Sequence, residues 1–391
     1  LLFSMNNSLI LISMIIAVLT VAMAIVNYPE KFKTLNLSFR ASPKYALALA
    51  AIFLTLSAGV VILFTLGVKM YLADIYAGQS LKIADVNQKI AKINKAIVLA
   101  PYQDIYYLTL ANNYMALANQ EAGGARNQAV IENSLSSAID MGKKALALSP
   151  NNAGNSEAMA LIYENASFYV QGALEWAENL YNKAEELSPD SPTPYLRIAL
   201  INMARANAEK DKSQQEYYIN EAIKRYDLAL AKKADFGAAN YGKAIAYERL
   251  NKIDEAIDQL KKAVILTKDN VDYRFELGRL YFNRGAAAPP GIAQSASENI
   301  TKGAEANPDL TVSSQASAVV KKNDDLATAE QLFLSIVQAN PNHANALYSL
   351  ALLYQKIGET DNAKLVIKQL LTVVKDQPSI DLIQRQFPGL Y

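Results

Sequence analysis

The sequence predicts an all-α protein: two long apolar helices, followed by an α-solenoid of about six helical hairpins with lengthened tips. Alanine, a large apolar residue, alanine and proline recur at fixed intervals from about residue 96 onward. Two uncharged runs, Leu9–Val26 and Tyr45–Val68, lie near the N-terminus. The chain's 22 tyrosines supply the third observation, because they recur three residues after an apolar–small pair.

Copies of the repeat are Ala138, Ala145 and Pro150; Ala177, Tyr181, Ala184 and Pro189; Ala222, Tyr226 and Ala229; and Ala256, Leu260 and Ala263. A further copy, Ala329, Phe333 and Pro341, has Ile336 in place of the second alanine, and Ile93, Ala96 and Pro101 form a partial one. Nine to ten residues beyond each terminal position come pairs such as Leu110–Ala111, Leu277–Gly278 and Leu350–Ala351, each with a tyrosine three residues on. Intervals of three, four and seven put these residues on one helical face. Small residues belong where two helix backbones cross, and Tyr114, Tyr163, Tyr247, Tyr281 and Tyr354 fill the holes beside them. Proline ends the second helix because it lacks the backbone donor a further turn requires.

The terminal positions 101, 150, 189, 234, 268 and 341 are separated by 49, 39, 45, 34 and 73 residues. Beyond a common 34, the surplus always falls between the tyrosine of the first helix and the alanine of the second. The extra residues therefore lengthen the hairpin tip, extending each helix by about one to two turns in the longer cases. The largest surplus, at about residues 283–325, opens with the Gly/Pro/Ala-rich stretch Asn283–Gly291 and is expected to form an exposed insertion with room for one short helix. Asp324–Asp325 beside Lys321–Lys322 in it reads as a solvated charge run.

Over residues 86–375 this pattern resembles the tetratricopeptide repeat (TPR), a helix–turn–helix unit stacked into a solenoid. The resemblance implies a right-handed superhelix whose first helices line a concave groove for peptides or partner helices. Carried over by register, the groove-facing residues are Leu108, Asn112 and Met115; Leu200 and Met203; Tyr241, Ile245 and Glu248; Phe275, Arg279 and Phe282; and Tyr348, Leu352 and Gln355. The Lys/Asn set that grips a C-terminal carboxylate in some relatives is mostly missing.

The two uncharged runs would span about 27 and 36 Å as helices, enough for a hydrocarbon core of about 30 Å. The loop between them, residues 27–44, carries Lys31, Lys33, Arg40 and Lys44 against Glu30 alone. Short basic loops stay cytoplasmic, which would leave the repeats outside the membrane, periplasmic or at the cell surface. The expected domains are a two-helix membrane hairpin over 1–68, an exit helix and partial first repeat over 69–100, and the TPR solenoid over 101–391. The chain opens on Leu1, as a processed N-terminus or a piece of a longer protein would.

Composition narrows the chemistry. A net charge of +1 over 391 residues offers no basic stripe for nucleic acid. The absence of cysteine excludes disulfides and thiolate metal sites. His343, the only histidine, lies in a turn before a helix, and a metal site needs several convergent ligands. Gly123–Gly124 has no strand before it to make a phosphate loop. No cofactor, metal or catalytic constellation is expected. Among the Asn-X-Ser/Thr triplets, Asn299 is the candidate glycan acceptor.

Three functional readings follow. The first is a membrane-anchored, non-catalytic scaffold for protein–protein interaction. The second rests on an architectural resemblance of residues 1–100 to the C-terminal part of O-antigen ligase-like membrane glycosyltransferases, of which this chain would be an accessory part. The third is a subunit of a surface filament, joined head to tail through its repeats with the apolar helices in the core. In that case Ile380, Leu382, Ile383, Phe387 and Leu390 would form a cap or a joint.

Overall fold

The computed structural model describes residues 43–124, 127–287 and 314–391, with a few isolated positions between 20 and 27. Helices joined by short turns make up these residues, with no strand among them. The chain divides into two compact units, residues 1–189 and 190–391. The first holds α1 (Pro43–Leu81), α2 (Val86–Leu99), α3 (Asp104–Gly123), α4 (Gln128–Leu148), α5 (Ala153–Ala166) and α6 (Ala173–Leu187). The second holds α7 (Pro192–Ala208), α8 (Lys212–Lys232), α9 (Gly237–Arg249), α10 (Ile253–Leu266), α11 (Val271–Ala286), α12 (Ser314–Ala339), α13 (Ala344–Ile357), α14 (Thr360–Val373) and α15 (Gln377–Gln386). Consecutive helices pair as hairpins from α1–α2 to α13–α14, and α15 follows alone.

The repeat register appears directly in the helix boundaries. Second helices end at 99, 148, 187, 232, 266 and 339, each two residues before a terminal position. First helices begin at 104, 153, 192, 237, 271 and 344, each three residues after one. The capping residue between them shares one conformation at Ala100, Ser149, Ser188, Lys233 and Thr267, with φ from −128° to −144° and ψ from 66° to 95°. Its N–H donates to the carbonyl of the second alanine, as Ser149 does to Ala145 and Lys233 to Ala229. Proline favours an extended predecessor. Lys233 and Thr267 adopt the same geometry before Ala234 and Lys268, so proline reinforces a turn that the flanking helices already fix.

Packing follows the same register. Ala96, Ala138, Ala145, Ala177, Ala184, Ala222, Ala229, Ala256, Ala263 and Ala329 are all fully buried, as is Ile336 at the substituted position. Tyr181, Tyr226, Leu260 and Phe333 fill the space beside them, also fully buried. Two glycines allow backbones to close. A Cβ on Gly278 would sit 2.7 Å from the Phe333 ring, and one on Gly242 would sit 2.5 Å from the Tyr226 ring. Gly278 is a predicted crossing position, whereas Gly242 lies two residues before Ala244, the crossing position of its own helix.

Tip lengths behave as the surplus predicts. The minimal hairpin α9–α10 has helices of 13 and 14 residues, whereas α3 and α4 have 20 and 21. The seven extra residues in each add about two turns. The small surplus between α5 and α6 goes instead into a turn, residues 167–172.

Three expectations are met only in part. One helix among the described residues, Leu47–Leu81, is long and apolar enough to cross a bilayer, with mean hydropathy 2.6 over its apolar window. The other expected span, 9–26, and the basic loop 27–44 lie almost wholly outside the described residues. Second, the Tyr45–Val68 run continues unbroken into the expected exit helix as one helix, α1, whose C-terminal part is the first helix of the first hairpin. Met70, Ala73, Tyr76 and Ala77 of α1 pack against Ile93 and Ala96 of α2 and Tyr106 and Leu110 of α3. Third, the expected insertion at 283–325 is helical at both ends, within α11 and α12, and its centre, with Asn299, lies outside the described residues. Asp325 is buried and not solvated, because Arg284 of α11 pairs with it.

Candidate partner-binding surface

The sequence register directs attention to the first helices of the second unit. On α9, Tyr241, Ile245 and Glu248 are spaced four and three apart and therefore share a face. All three are half-buried. The neighbouring helix α11 meets this face at two levels. At one, the rings of Tyr241 and Tyr273 stack with centroids 4.4 Å apart and planes 14° from parallel. Two turns along, Arg279 donates from both terminal nitrogens to the two carboxylate oxygens of Glu248, at 2.8 Å each. Its Nε donates to Glu276 at 2.7 Å. This fork-to-carboxylate geometry is the strong form of an ion pair.

The electrostatics of the patch follow from these neighbours. The hydrogen bonds from Arg279 to Glu248 hold its guanidinium above its ordinary value, against the opposing effect of burial. Burial pushes the Tyr241 phenol up, with Glu276 adding to it. Burial does the same for Tyr273, with Asp272 adding to it. Two carboxylates, on Glu248 and Glu276, bond one guanidinium, and Asp272 lies by the stacked rings, so the face carries acidic character.

The remaining sequence-predicted positions are placed differently. Phe275 packs inward, with its ring centroid 5.7 Å from Phe333 and 5.8 Å from His343. Phe282 and Leu352 are half-buried against the same core. Tyr348 meets Phe387 edge to face at 5.7 Å, and exposed Gln355 reaches the Gln386 carbonyl at 3.4 Å. The C-terminal segment thus covers this end of α13: Ile383 and Phe387 are buried and Leu390 packs on the core, while Leu382 is exposed. Leu200 is exposed on α7, and Met203 is buried against α8 and α9. In the first unit, Leu108 and Met115 are buried and only Asn112 is exposed. His343 caps α13, its Nδ1 accepting from the Ala346 N–H at 3.1 Å.

Sequence reasoning missed Tyr273 and Glu276. Glu276 carried a signal, being three residues before Arg279 on the same helix. It also missed an aromatic tip on the first unit. Phe168, Tyr169, Val170 and Trp176 are exposed there, with Trp176 stacked on Tyr163 at 6.2 Å. Beside the tip, a cleft of about 590 Å³ opens against Leu135, Ile139 and Glu132 of α4. Among the described residues no three His, Asp or Glu side chains converge as a metal site would require.

No protein-family model and no curated protein matches the sequence. Solved structures similar to this chain include YrrB, a TPR protein described as having an unusual peptide-binding site. It is 18% identical, with TM-score 0.41, covering 63% of this chain and 96% of that one. PilF from Pseudomonas aeruginosa is 13% identical, with TM-score 0.44, covering 71% and 97%. A thermophilic TPR protein from Thermus thermophilus is 14% identical, with TM-score 0.38, covering 63% and 98%. At such low TM-scores these likenesses bear on neither site nor partner. The chain is a TPR-like array of helical hairpins on the strength of its own register and packing.

Proposed function

We propose that this chain is a membrane-anchored, non-catalytic scaffold whose TPR-like repeats hold a partner protein on the α9–α11 face. The observation that carries the reading is the half-buried patch of Tyr241, Tyr273, Glu248, Arg279 and Glu276, where two stacked rings adjoin an ion-paired acidic cluster. Rings supply rigid apolar contact, and a guanidinium among carboxylates fixes orientation. A partner segment with apolar and basic side chains fits that chemistry. On this reading residues 1–68 form a two-helix membrane hairpin, with the α1 run as the second span. Residues 69–100 lead into the first hairpin, and the repeats over 101–391 lie on the outer side of the membrane.

The test is capture from membrane extracts with the full chain, comparing wild type, Tyr241→Ala and Arg279→Ala. Loss of the same specific partner from both variants, with helical content unchanged, is expected. Identical partners bound by all three proteins would overturn this assignment of the surface.

A further inference from the structure

Six turns join the hairpins in one register, so each serves as a control for the others. The residue after the terminal position is Tyr102 in the first and Asn151, Asp190, Asp235, Asp269 and Asn342 in the rest. Asn and Asp suit such turns because their side chains bond the local backbone. The first turn has given that up for a tyrosine that is 83% exposed. Two flanking positions follow suit. Val98 corresponds to Ala147, Glu186, Ala231, Ile265 and Gln338. Ile105 corresponds to Gly154, Thr193, Ala238, Asp272 and Asn345. Val98 is 81% exposed and Ile105 50%; Ile265 is exposed too, but the first turn alone joins three exposed apolar or aromatic side chains at these places.

The position of this turn beside α1 gives the patch its meaning. Helices α1 and α2 are antiparallel, with Lys92 donating to Gln79 at 2.9 Å and Lys92 and Lys95 lying over the Tyr76 ring. Counting forward along α2 and back along α1 from these pairs sets Ala100 level with about Met70 of α1. Tyr106, at the start of α3, bonds Asp74 and agrees with that level. The uncharged run of α1 ends at Val68, followed by Lys69. A bilayer's polar margin is about 5–7 Å deep on each side of its core, or about four residues of helix. The turn with Tyr102 therefore falls within the margin that begins at Lys69. Tyr71, on α1 at the same level, is exposed as well.

We infer that the α2–α3 turn is a membrane-interface contact: Val98, Tyr102 and Ile105 sit in the headgroup layer of the bilayer that α1 enters. Tyrosine suits that layer because its ring is apolar and its hydroxyl stays hydrated. The occupant is lipid and not a second protein, because the patch continues the apolar surface of α1 at the height where that surface meets charge. The inference rests on the reading of α1 as a span.

The chain's lack of cysteine permits the test. Single Leu56→Cys, Val98→Cys and Phe168→Cys variants of the full chain carry a nitroxide in vesicles of phosphatidylcholine and phosphatidylglycerol. Collision with oxygen and with a water-soluble nickel chelate reports depth. Leu56→Cys is expected to be shielded from nickel and Phe168→Cys, at a hairpin tip, to be open to it. Val98→Cys should fall between them, and adding Tyr102→Asn, the residue type of the other turns, should restore its nickel access. Val98→Cys as open as Phe168→Cys, with Leu56→Cys shielded, overturns the contact and leaves the span standing. An open Leu56→Cys overturns the span and the contact with it, and no response to Tyr102→Asn overturns the anchoring role of that side chain.

Discussion

Replacing Arg284 by Met should loosen the α11–α12 hairpin by an amount set by what is left behind. Arg284 donates through Nε to Asp325 at 2.6 Å, through a terminal nitrogen to the other Asp325 oxygen, and through its third nitrogen to Asp254. The side chains of Arg284 and Asp325 are 19% and 4% exposed. Removing one partner of a buried pair costs about 3–5 kcal/mol, because the remaining charge has no compensation. The Asp254 side chain is 67% exposed, so its share is about 0.2–1 kcal/mol. The first figure dominates. Hydrogen exchange of the full chain, followed by mass spectrometry over residues 325–339, measures local opening without requiring two-state unfolding. At about 3 kcal/mol, exchange there should accelerate on the order of a hundredfold. The double variant Arg284→Met/Asp325→Leu should recover most of that protection, because apolar replacement of a whole buried pair is often neutral. Single-variant exchange within a few-fold of wild type would refute the view that this pair is buried and coupled. So would a double variant as labile as the single one.

Two further outcomes follow from the packing. Gly242→Val should destabilise the second unit by about 1–3 kcal/mol, because the added atoms meet the Tyr226 ring; combining it with Tyr226→Leu should recover part of the loss in thermal unfolding. In the first unit, burial raises the Asp104 carboxyl's pKa, but hydrogen bonds from Asn155, Ser149, Ile105 and Asn152 outweigh it and hold the group below its ordinary value. A depressed acid contributes stability above its unfolded pKa of about 4, and that contribution is lost as pH falls through the lower folded value. Asn155→Leu removes the 2.8 Å bond to Asp104, so the acid limb of its unfolding profile should flatten relative to wild type.

Much of the architecture could be read from residues alone because the turns are punctuated. A terminal position two residues past each second helix and three before the next first helix is a local chemical signal, repeated in phase. The junction at Val68–Lys69 has no such signal. Apolar run and amphipathic helix share the same backbone, and one lysine marks a change of surroundings without ending a helix. Asp325 was misread for a different reason. Its neighbours in sequence are charged, but its partner Arg284 lies 41 residues away and is brought near only by the hairpin. In the candidate site, register reached Tyr241, Glu248 and Arg279 because those positions recur. It missed Tyr273, whose place is aromatic in just one other repeat, at Tyr106, and it set Phe275 on a face where the fold turns that ring toward Phe333.

The 39 residues of α1 contain no proline beyond Pro43 at its first position. Sharp kinks in helices arise mainly at proline, Gly/Ser pairs or inserted turns. Its N-terminal half is bare and its C-terminal half is locked into the first hairpin by Ala73 and Tyr76. Apart from Ser57, Gly59 and Gly67 in the bare half, such a rod is a lever with no break where its two halves meet. Any tilt or rotation imposed on the bare half is delivered to the first hairpin as a rigid displacement, and restraining that half fixes the heading of the first unit. Two residues of glycine inserted near Lys69 would convert the lever into a hinge and decouple the two ends.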